Sequence, residues 1–265
     1  MVTQNRWLSV LIPLALLCAG DQVCAEGIIE GELKRWHAIT LTLNGPEAAE
    51  QGETNPFLDY RLDVVFTHRQ SGTKLRVPGY FAADGYAAET GADSGNKWRV
   101  HFVPREVGEW SWSVSLRSGE NVAISANQDA GVAVEADGSA GEFLVTESDK
   151  TGRDHRGKGF LSYVGERYPR FDNGEYLLKA GADAPETLLA YRDFDNTYDH
   201  GGGNSIKNFD VHVGDWRLGD PVWQEGKGKG LIGALNYLAD KNMNAFSFLT
   251  MNVDGDGKNV WPWIT

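Results

Sequence analysis

The sequence predicts a multidomain protein: an all-β, Ig-like sandwich over residues 26–147, followed by the N-terminal portion of an α/β barrel of the TIM type over residues 158–265. Between Leu33 and Val145, apolar and polar residues alternate in short runs, as expected for strands with one buried face. Beyond residue 158, a hairpin signal, a helical pattern and an apolar run follow one another. The charged, glycine-containing residues 148–157 are predicted to be a linker.

The sandwich strands are predicted from runs with a period of two, which place one side-chain face toward a core. The buried positions predicted in this way are Ile39/Leu41/Leu43, Leu62/Val64/Phe66, Trp98/Val100/Phe102, Trp110/Trp112/Val114/Leu116 and Phe143–Val145. The stretch Pro104–Gly108 is predicted to be a hairpin or a corner where the chain crosses between sheets. Trp98, Trp110 and Trp112 are expected to fill the space that a disulfide occupies in antibody domains.

The second region is predicted as one β-α-β unit. Asn173-Gly174 favours a tight turn, because this pair readily adopts positive φ angles, so 168–182 is predicted to be a hairpin. Leu231, Ile232, Leu235, Leu238 and Ala239 have helical spacing within Gly230–Lys241. The apolar run Ala245–Met251 is predicted to be a strand buried on both faces, as in a parallel sheet.

The predicted barrel is incomplete. A TIM barrel takes about 250 residues, and far fewer follow Lys158. The run Val260–Thr265 is also bulky and apolar. We therefore expect the sequence to be the N-terminal part of a longer protein. The alternative, a complete small α+β appendage on the sandwich, stays open.

Residues 1–25 have the organisation of a secretory signal peptide. Arg6 precedes the apolar run Trp7–Leu17, and small residues lead to a predicted cleavage after Ala25. We therefore expect a secreted or periplasmic protein. Cleavage would remove both cysteines, Cys18 and Cys24, and with them any disulfide or thiolate site. Acylation of Cys18 is the alternative, but the large Leu17 before it disfavours lipoprotein processing.

The formal net charge is −12, and aromatic residues make up 11% of the chain, with nine tryptophans. An acidic surface repels phosphate backbones and anionic lipids, so the sequence argues against nucleic-acid partners. After removal of the signal peptide, no segment is predicted to insert into a membrane. Exposed aromatic rings are common sugar-stacking surfaces, although most are expected to lie in the core.

Four motifs resemble one family closely: Arg35–His37, Asn55–Leu62, Val77–Gly85 and Gly108–Trp110. They are similar to bacterial secreted glycoside-hydrolase-like proteins in which an Ig-like N-terminal domain of unknown function precedes a TIM barrel. Some of these relatives are named for a collagen-binding domain. The segments Leu178–Glu186 and Gly226–Leu238 resemble the first strand and first helix of that barrel.

The resemblance implies a polysaccharide or oligosaccharide substrate without specifying the glycan. It also implies that the catalytic carboxylates lie on later barrel strands, beyond Thr265. We therefore expect the parent protein to be a glycoside hydrolase and this chain alone to be inactive, since hydrolysis needs two carboxyl groups. The alternatives are a non-catalytic carbohydrate-binding module and a surface-adhesion module.

Six residues are candidates for substrate binding at the predicted barrel mouth, where the ends of the strands meet. They are Asp183, Glu186, Asn252, Asp254, Trp261 and Trp263. For Asp183 and Glu186, substrate positioning or a helix cap is favoured over the alternative of a catalytic pair. For Asn252 and Asp254, the alternative is a solvated turn. For the two tryptophans, the alternatives are a sugar-stacking platform and packing against further chain.

No metal or cofactor is predicted. His200, Asp210, His212 and Asp215 lie in a long loop, Ala184–Lys229, where a hydrogen-bonded scaffold is favoured over metal ligation. The glycines of 228–233 match G-x-G-x-x-G, but they do not follow an apolar strand. Asp254–Asn259 begins like a calcium loop but lacks its required glycine.

Overall fold

The computed structural model describes residues 27–181, 188–195, 197–199, 206–250 and 260–261. The predicted signal peptide, residues 1–25, lies outside this range. Within the described residues, no helix is both long and apolar enough to cross a lipid bilayer. The described chain is mostly β-sheet with few helices, as the alternating sequence pattern predicts.

Residues 28–145 form two antiparallel sheets. In chain order their strands are β1 (Ile28–Gly31), β2 (Ile39–Ala49), β3 (Tyr60–His68), β4 (Lys74–Pro78), β5 (Tyr80–Phe81), β6 (Ser94–Phe102), β7 (Gly108–Ser118), β8 (Val132–Ala133) and β9 (Ala140–Val145). A short helix, α1 (Ala87–Thr90), precedes β6, and a 3-10 turn, Val122–Ile124, follows β7.

The two sheets form a sandwich. One has the order β1-β2-β6-β5, and the other β4-β3-β7-β8 with β9 also paired to β7. The predicted corner at Pro104–Gly108 is confirmed, because it connects β6 in the first sheet to β7 in the second. The long ladders β2–β6 and β3–β7 satisfy the backbone groups of the four central strands.

The sandwich core is built from the alternating residues that the sequence predicts. Burial alternates along β3 and β7, so each strand turns one row of apolar side chains inward. Trp98, Trp110 and Trp112 are all buried, as predicted. Phe66 and Phe102, from opposite sheets, stack with ring centroids 4.0 Å apart. Close packing of these rings forms one continuous core between the sheets.

Residues 148–157, predicted to be a linker, lie against the start of the sandwich. The Nζ atom of Lys34 lies 2.6 Å from Asp149, and Lys150 Nζ lies 3.0 Å from Glu32. Hydrogen bonds from these two lysines lower the pKa of Asp149 to about 2. The connection between the regions is therefore held by charge pairs and continues into a 3-10 turn, His155–Gly157.

The region after residue 158 contains short strands: β10 (Leu161–Ser162), β11 (Arg170–Phe171), β12 (Tyr198–Asp199) and β13 (Val260–Trp261). The predicted tight turn follows β11, and the chain returns so that Arg170 bridges Tyr176. Within this turn, Gly174 has a positive φ (+93°) and Asn173 does not. This is typical of a three-residue turn rather than the two-residue Asn-Gly type.

The predicted helix is confirmed as α2 (Lys229–Asp240). It packs on a 3-10 segment, Asp210–Asp215. The glycines of the G-x-G-x-x-G match serve this packing. Gly228 has φ +92° beside the Trp223 ring, while Gly230 and Gly233 approach the backbone of 208–212 too closely for a side chain. The motif has a structural explanation and needs no nucleotide.

The predicted strand at Ala245–Met251 is wrong for the described residues. Positions 245–250 have only an isolated bridge, at Ser247, and Phe248 and Leu249 are 40% and 47% exposed. No parallel sheet forms in the described part of the chain, so a barrel is not seen there. An apolar run becomes a buried strand only when neighbouring strands pair with it and cover both faces.

The segments predicted as the first two barrel strands nevertheless lie side by side. The Asn244 backbone N–H donates to the Ala180 carbonyl (2.8 Å), and the Ala180 N–H donates to the Asn244 side chain (2.8 Å). Gly181 approaches the Ala245 carbonyl too closely for a side chain. Asn244 therefore joins two extended segments that are far apart in sequence.

Candidate functional site

A groove of about 620 Å³ opens at one side of the sandwich, next to the segment that follows residue 158. This volume lies within the range typical of ligand-binding clefts. Residues from β4, the end of β6, the sheet-crossing corner and the later segment line it. They are Thr73, Leu75, Arg76, Val77, His101, Phe102, Val103, Arg105, Glu106, Trp110 and Phe160.

The apolar part of the lining is continuous with the sandwich core. Along β4, exposed and half-buried positions alternate, so Leu75 and Val77 turn inward. Phe102 and Trp110 pack edge to face with centroids 5.1 Å apart. The Trp110 indole N–H donates to the Glu106 carbonyl (2.9 Å), which fixes the ring. This part of the groove is therefore preorganised.

Phe160 forms the wall contributed by the second region. The Arg105 guanidinium lies over its ring, 3.9 Å from the centroid. The Phe160 backbone N–H donates to Asp172 (3.0 Å). Gly159, at φ +88°, lets the chain pass close to Asp172 and Trp36. The groove thus depends on contact between the sandwich and the segment after it.

His101 supplies a fixed polar group at the groove. Its Nε2 lies 2.9 Å from the Tyr80 hydroxyl, and its Nδ1 lies 2.9 Å from the Thr40 hydroxyl. Hydroxyl groups can donate or accept, so the pair holds the ring orientation in either neutral tautomer. The Tyr80 ring is exposed beside it, with centroids 5.5 Å apart. An exposed aromatic face therefore lies beside an imidazole whose two nitrogens both have protein partners.

A serine, a histidine and a glutamate meet behind the groove but cannot act as a nucleophilic triad. Ser71 Oγ and Glu106 lie 2.8 Å and 3.1 Å from the same His68 nitrogen, Nδ1. The other nitrogen, Nε2, is 3.0 Å from the Val107 carbonyl and must donate to it. A triad needs its nucleophile and its acid on opposite ring nitrogens. The cluster instead fixes the turn after β3 to the corner.

Of the six predicted substrate-binding residues, the structure describes the backbone of Trp261 alone. Asp183, Glu186, Asn252, Asp254 and Trp263 lie outside the described residues. Trp261 belongs to β13, where its backbone pairs with Tyr198 in the long loop. These residues remain predictions for the barrel mouth.

Within the long loop, a buried tyrosine fixes the start of α2. The Tyr191 hydroxyl donates to Asp193 (2.7 Å), which also accepts the Gly228 backbone N–H (2.8 Å). Burial, followed by the hydrogen bond to Asp193, raises the pKa of Tyr191 to about 12. Tyr191 packs with Leu188 and Leu231 in a second, smaller apolar cluster. This tyrosine is structural rather than reactive.

The loop residues considered as metal ligands have protein partners. His212 Nδ1 lies 3.0 Å from Asp215, and Asp210 receives two hydrogen bonds from the Arg192 guanidinium. His200 lies outside the described residues. In the part of the chain that the structure describes, no three His, Cys, Asp or Glu side chains converge as a metal site.

Sequence reasoning did not predict the groove. Its lining residues, from Thr73 to Phe160, are far apart in sequence and match no motif. The one available signal was the alternation in Lys74–Pro78, which marks β4 as a further strand. Even with that strand, the position of Phe160 follows only from the packing of the second region.

Comparison with known proteins gives a family match for the sandwich only. Residues 32–117 match a model described as a domain of unknown function, DUF5060, over less than half of the chain. The match includes every groove residue from Thr73 to Trp110 but not Phe160. No curated protein matches.

Among solved structures, the chain is similar to a candidate glycoside hydrolase from Bacteroides vulgatus ATCC 8482. The identity is 21%, the TM-score is 0.38, and the match covers 59% of this chain and 23% of that one. The chain therefore spans less than a quarter of the length of the protein it matches.

Proposed function

We propose that this chain is the N-terminal part of an exported protein that acts on polysaccharide, and that its groove binds carbohydrate. The sandwich and the segment after residue 158 form the groove together. Hydrolysis belongs to a glycoside-hydrolase barrel of which residues 158–265 are the start. The sequence resemblance to secreted glycoside-hydrolase-like proteins supports this assignment.

The observation that carries the proposal is the composition of the groove. Sugars present an apolar C–H face and a rim of hydroxyl groups, so their sites combine aromatic surfaces with fixed hydrogen-bonding groups. The half-buried Phe160 provides aromatic surface, while Thr73 and Arg105 provide polar groups beside it. Outside the lining, the exposed Tyr80 ring lies beside His101.

The groove is expected to bind glycans without cleaving them, because it has too few carboxylates for hydrolysis. Glu106 is the one carboxylate among the described lining residues, whereas glycoside hydrolysis needs an acid and a second carboxylate across the scissile bond. Glu106 is also held by Ser71 and lies beside His68. The groove is therefore a binding site without a catalytic carboxylate pair, and the purified chain should bind glycans without hydrolysing them.

The test is calorimetric titration of the purified chain with a panel of soluble oligosaccharides, comparing Phe160→Ala with Tyr163→Ala. Tyr163 is a matched control, because it is an exposed aromatic residue of the same segment outside the groove lining. We expect Phe160→Ala to weaken binding at least about tenfold, the loss of one stacked ring, and Tyr163→Ala to leave it unchanged. Equal effects of the two variants, or saturable hydrolysis by this chain, would overturn the proposal.

A further inference from the structure

We infer that the glycan-binding surface continues from the groove onto the outer face of the sheet β1-β2-β6-β5, so that the ligand is a linear oligosaccharide chain rather than a mono- or disaccharide. This inference rests on the proposed carbohydrate binding and adds the length of the ligand. The continuation, which we call the outer track, follows β6 from His101 through Arg99 to Lys97. It includes the rings of Tyr80 and Tyr86 beside that strand.

Alternation along β6 places a row of polar side chains on the outer face. Every second residue of Trp98–Phe102 is buried in the core, so the alternate residues Lys97, Arg99 and His101 turn outward. His101 also lines the groove. The groove and the outer track therefore meet at one residue. The row from His101 to Lys97 is about 14 Å long, from the usual rise of a strand.

Two exposed aromatic rings lie beside this row. Tyr80 pairs with Arg99 between β5 and β6, and its ring centroid lies 5.5 Å from that of His101. The centroid of the Tyr86 ring lies 5.5 Å from the Arg99 guanidinium. Tyr80 and Tyr86 are 42% and 62% exposed. Each ring thus offers an open aromatic surface on which the apolar face of a sugar can stack.

Local hydrogen bonds hold the two rings in place. The Tyr80 hydroxyl lies 2.9 Å from Nε2 of His101. The Tyr86 backbone N–H donates to the Asp84 carboxylate (2.7 Å), which also accepts from the Thr90 hydroxyl at the end of α1 (2.8 Å). Both rings are therefore presented by fixed backbone, and a ligand has little ordering to do when it binds.

Hydrogen-bond donors with unused capacity lie along the same row. Arg99 donates from Nε to the Thr42 hydroxyl (3.0 Å), and its Nη2 lies 3.5 Å from Glu30. Its Nη1 has no hydrogen-bond partner among the residues that the structure describes. Lys97 donates to the side-chain oxygen of Asn44, which leaves further ammonium protons and the Asn44 amide protons for a ligand. The outer track therefore combines aromatic rings with donors for sugar hydroxyl groups.

A glycan chain fits this surface better than a protein partner. Protein interfaces have a desolvated apolar centre, whereas the outward side chains of the two central strands are all polar. They are Thr40, Thr42 and Asn44 on β2, and Lys97, Arg99 and His101 on β6. Because His101 belongs to both surfaces, a chain that occupies the groove and extends past this residue reaches the outer track.

The test is a length series of oligosaccharides titrated into the purified chain. The probes are cello-, xylo-, manno- and agaro-oligosaccharides, each from the disaccharide to the hexasaccharide, and binding is measured by calorimetry. In a series that binds, the hexasaccharide should bind at least about tenfold more tightly than the disaccharide, because only the longer chain reaches beyond His101. An affinity that does not change with length would overturn the inference.

Tyr80→Ala and Tyr86→Ala should each weaken binding of the hexasaccharide about three- to tenfold and leave the disaccharide unchanged. Tyr80→Phe should keep most of the affinity, because the stacking ring remains when the bond to His101 is lost. Tyr163→Ala is the matched control, since it removes an exposed ring outside both surfaces. Thermal unfolding of each variant shows whether it is folded.

The failures of the two proposals can be distinguished. If Phe160→Ala weakens both lengths while Tyr80→Ala and Tyr86→Ala weaken neither, the outer track is wrong and the proposed function stands. If the tyrosine variants weaken both lengths equally, the rings act on the groove rather than as a separate surface, and the inference is also overturned. If no oligosaccharide of the series binds, both proposals fail.

Discussion

The sandwich and the region after residue 158 bury their apolar side chains very differently. In the sandwich, long ladders such as β3–β7 align apolar side chains into one continuous core. In the second region, the buried cluster is centred on Leu188, Tyr191 and Leu231, and apolar residues such as Leu218 remain almost fully exposed. Apolar side chains thus form one deep core in the sandwich and a smaller cluster in the second region.

The difference shows what a regular backbone provides. When apolar residues alternate with polar ones along a strand, the strand geometry alone places the apolar side chains on one face. Turns and 3-10 segments have no such face. The structure of the second region therefore depends on individual hydrogen bonds. Examples are the cap of Asp193 on Gly228 and the bond of Gln224 to Glu89 in the sandwich. The free energy of local opening should therefore be larger in the sandwich than in the region after residue 158.

The largest effect is expected from Trp98→Ala. The Trp98 ring is 1% exposed, donates from Nε1 to the Pro46 carbonyl (3.0 Å) and lies against Gly45. Truncation leaves a cavity and an unpaired acceptor, so the free energy of unfolding should fall by about 3–5 kcal/mol. Chemical denaturation followed by far-UV circular dichroism measures it. The control Tyr163→Ala removes an exposed ring and should change stability by less than about 0.5 kcal/mol.

A smaller and local effect is expected from Leu231→Ala. Leu231 is buried against Tyr191 and Leu188, and its loss should cost about 2–4 kcal/mol. Hydrogen exchange should become faster in α2, while the amides of β3 and β7 keep their protection. Equal acceleration in both regions would mean that they unfold as one unit, and the contrast between them would be wrong.

The contact between the regions can be weakened by Arg153→Gln. The Arg153 guanidinium binds the Ala239 carbonyl and the Asn242 side chain at the end of α2. These bonds are exposed, so the cost should be about 1 kcal/mol or less. Limited proteolysis should then cut faster near residues 151–158, whereas Arg217→Gln, which breaks a pair within the second region, should not change that rate. An unchanged rate for Arg153→Gln would show that the bond does not hold the contact.

The smallest effect is a pH dependence from His37, which is 2% exposed. Its Nε2 lies 2.9 Å from the Ser148 hydroxyl, and its Nδ1 has no hydrogen-bond partner among the residues that the structure describes. Burial lowers the pKa of His37 below the ordinary histidine value of 6.5. The unfolded chain therefore takes up the proton first as the pH falls below about 6.5, and stability decreases from there toward the folded-state pKa.

Melting temperatures recorded between pH 8 and pH 5 should show this loss in the unaltered chain and a flatter profile in His37→Gln. Glu32 lies 3.7 Å from Nδ1 and partly offsets the effect of burial. A profile with the same slope in both proteins would assign the pH dependence to other groups.

The main strands were predictable from sequence because their pattern is local. Leu62, Val64 and Phe66 define β3, and Trp110, Trp112 and Val114 define β7, without knowledge of their partners. The helix α2 was predictable for the same reason. The run at Ala245 was not, since a short apolar segment becomes a strand only if other strands cover it.

The candidate site was far less predictable. Arg105 lies in the corner that the sequence predicts, but nothing in the sequence places Phe160 against its guanidinium. The residues that sequence patterns favoured, such as Asp183 and Glu186, were chosen from their position after a predicted strand. A groove between two regions depends on their packing, which local spacing does not encode.

The two-residue length of β5 has a consequence for how such a groove can change. Because β5 pairs only with Trp98 and Arg99, the end of β6 has no neighbour on that side within the described residues. Each residue added to the strand would extend the ladder along β6 by about 3.4 Å and narrow the opening. Insertions or deletions around residues 79–82 would therefore change the width of the groove opening, and with it the size of ligand that can enter, without changing any lining side chain.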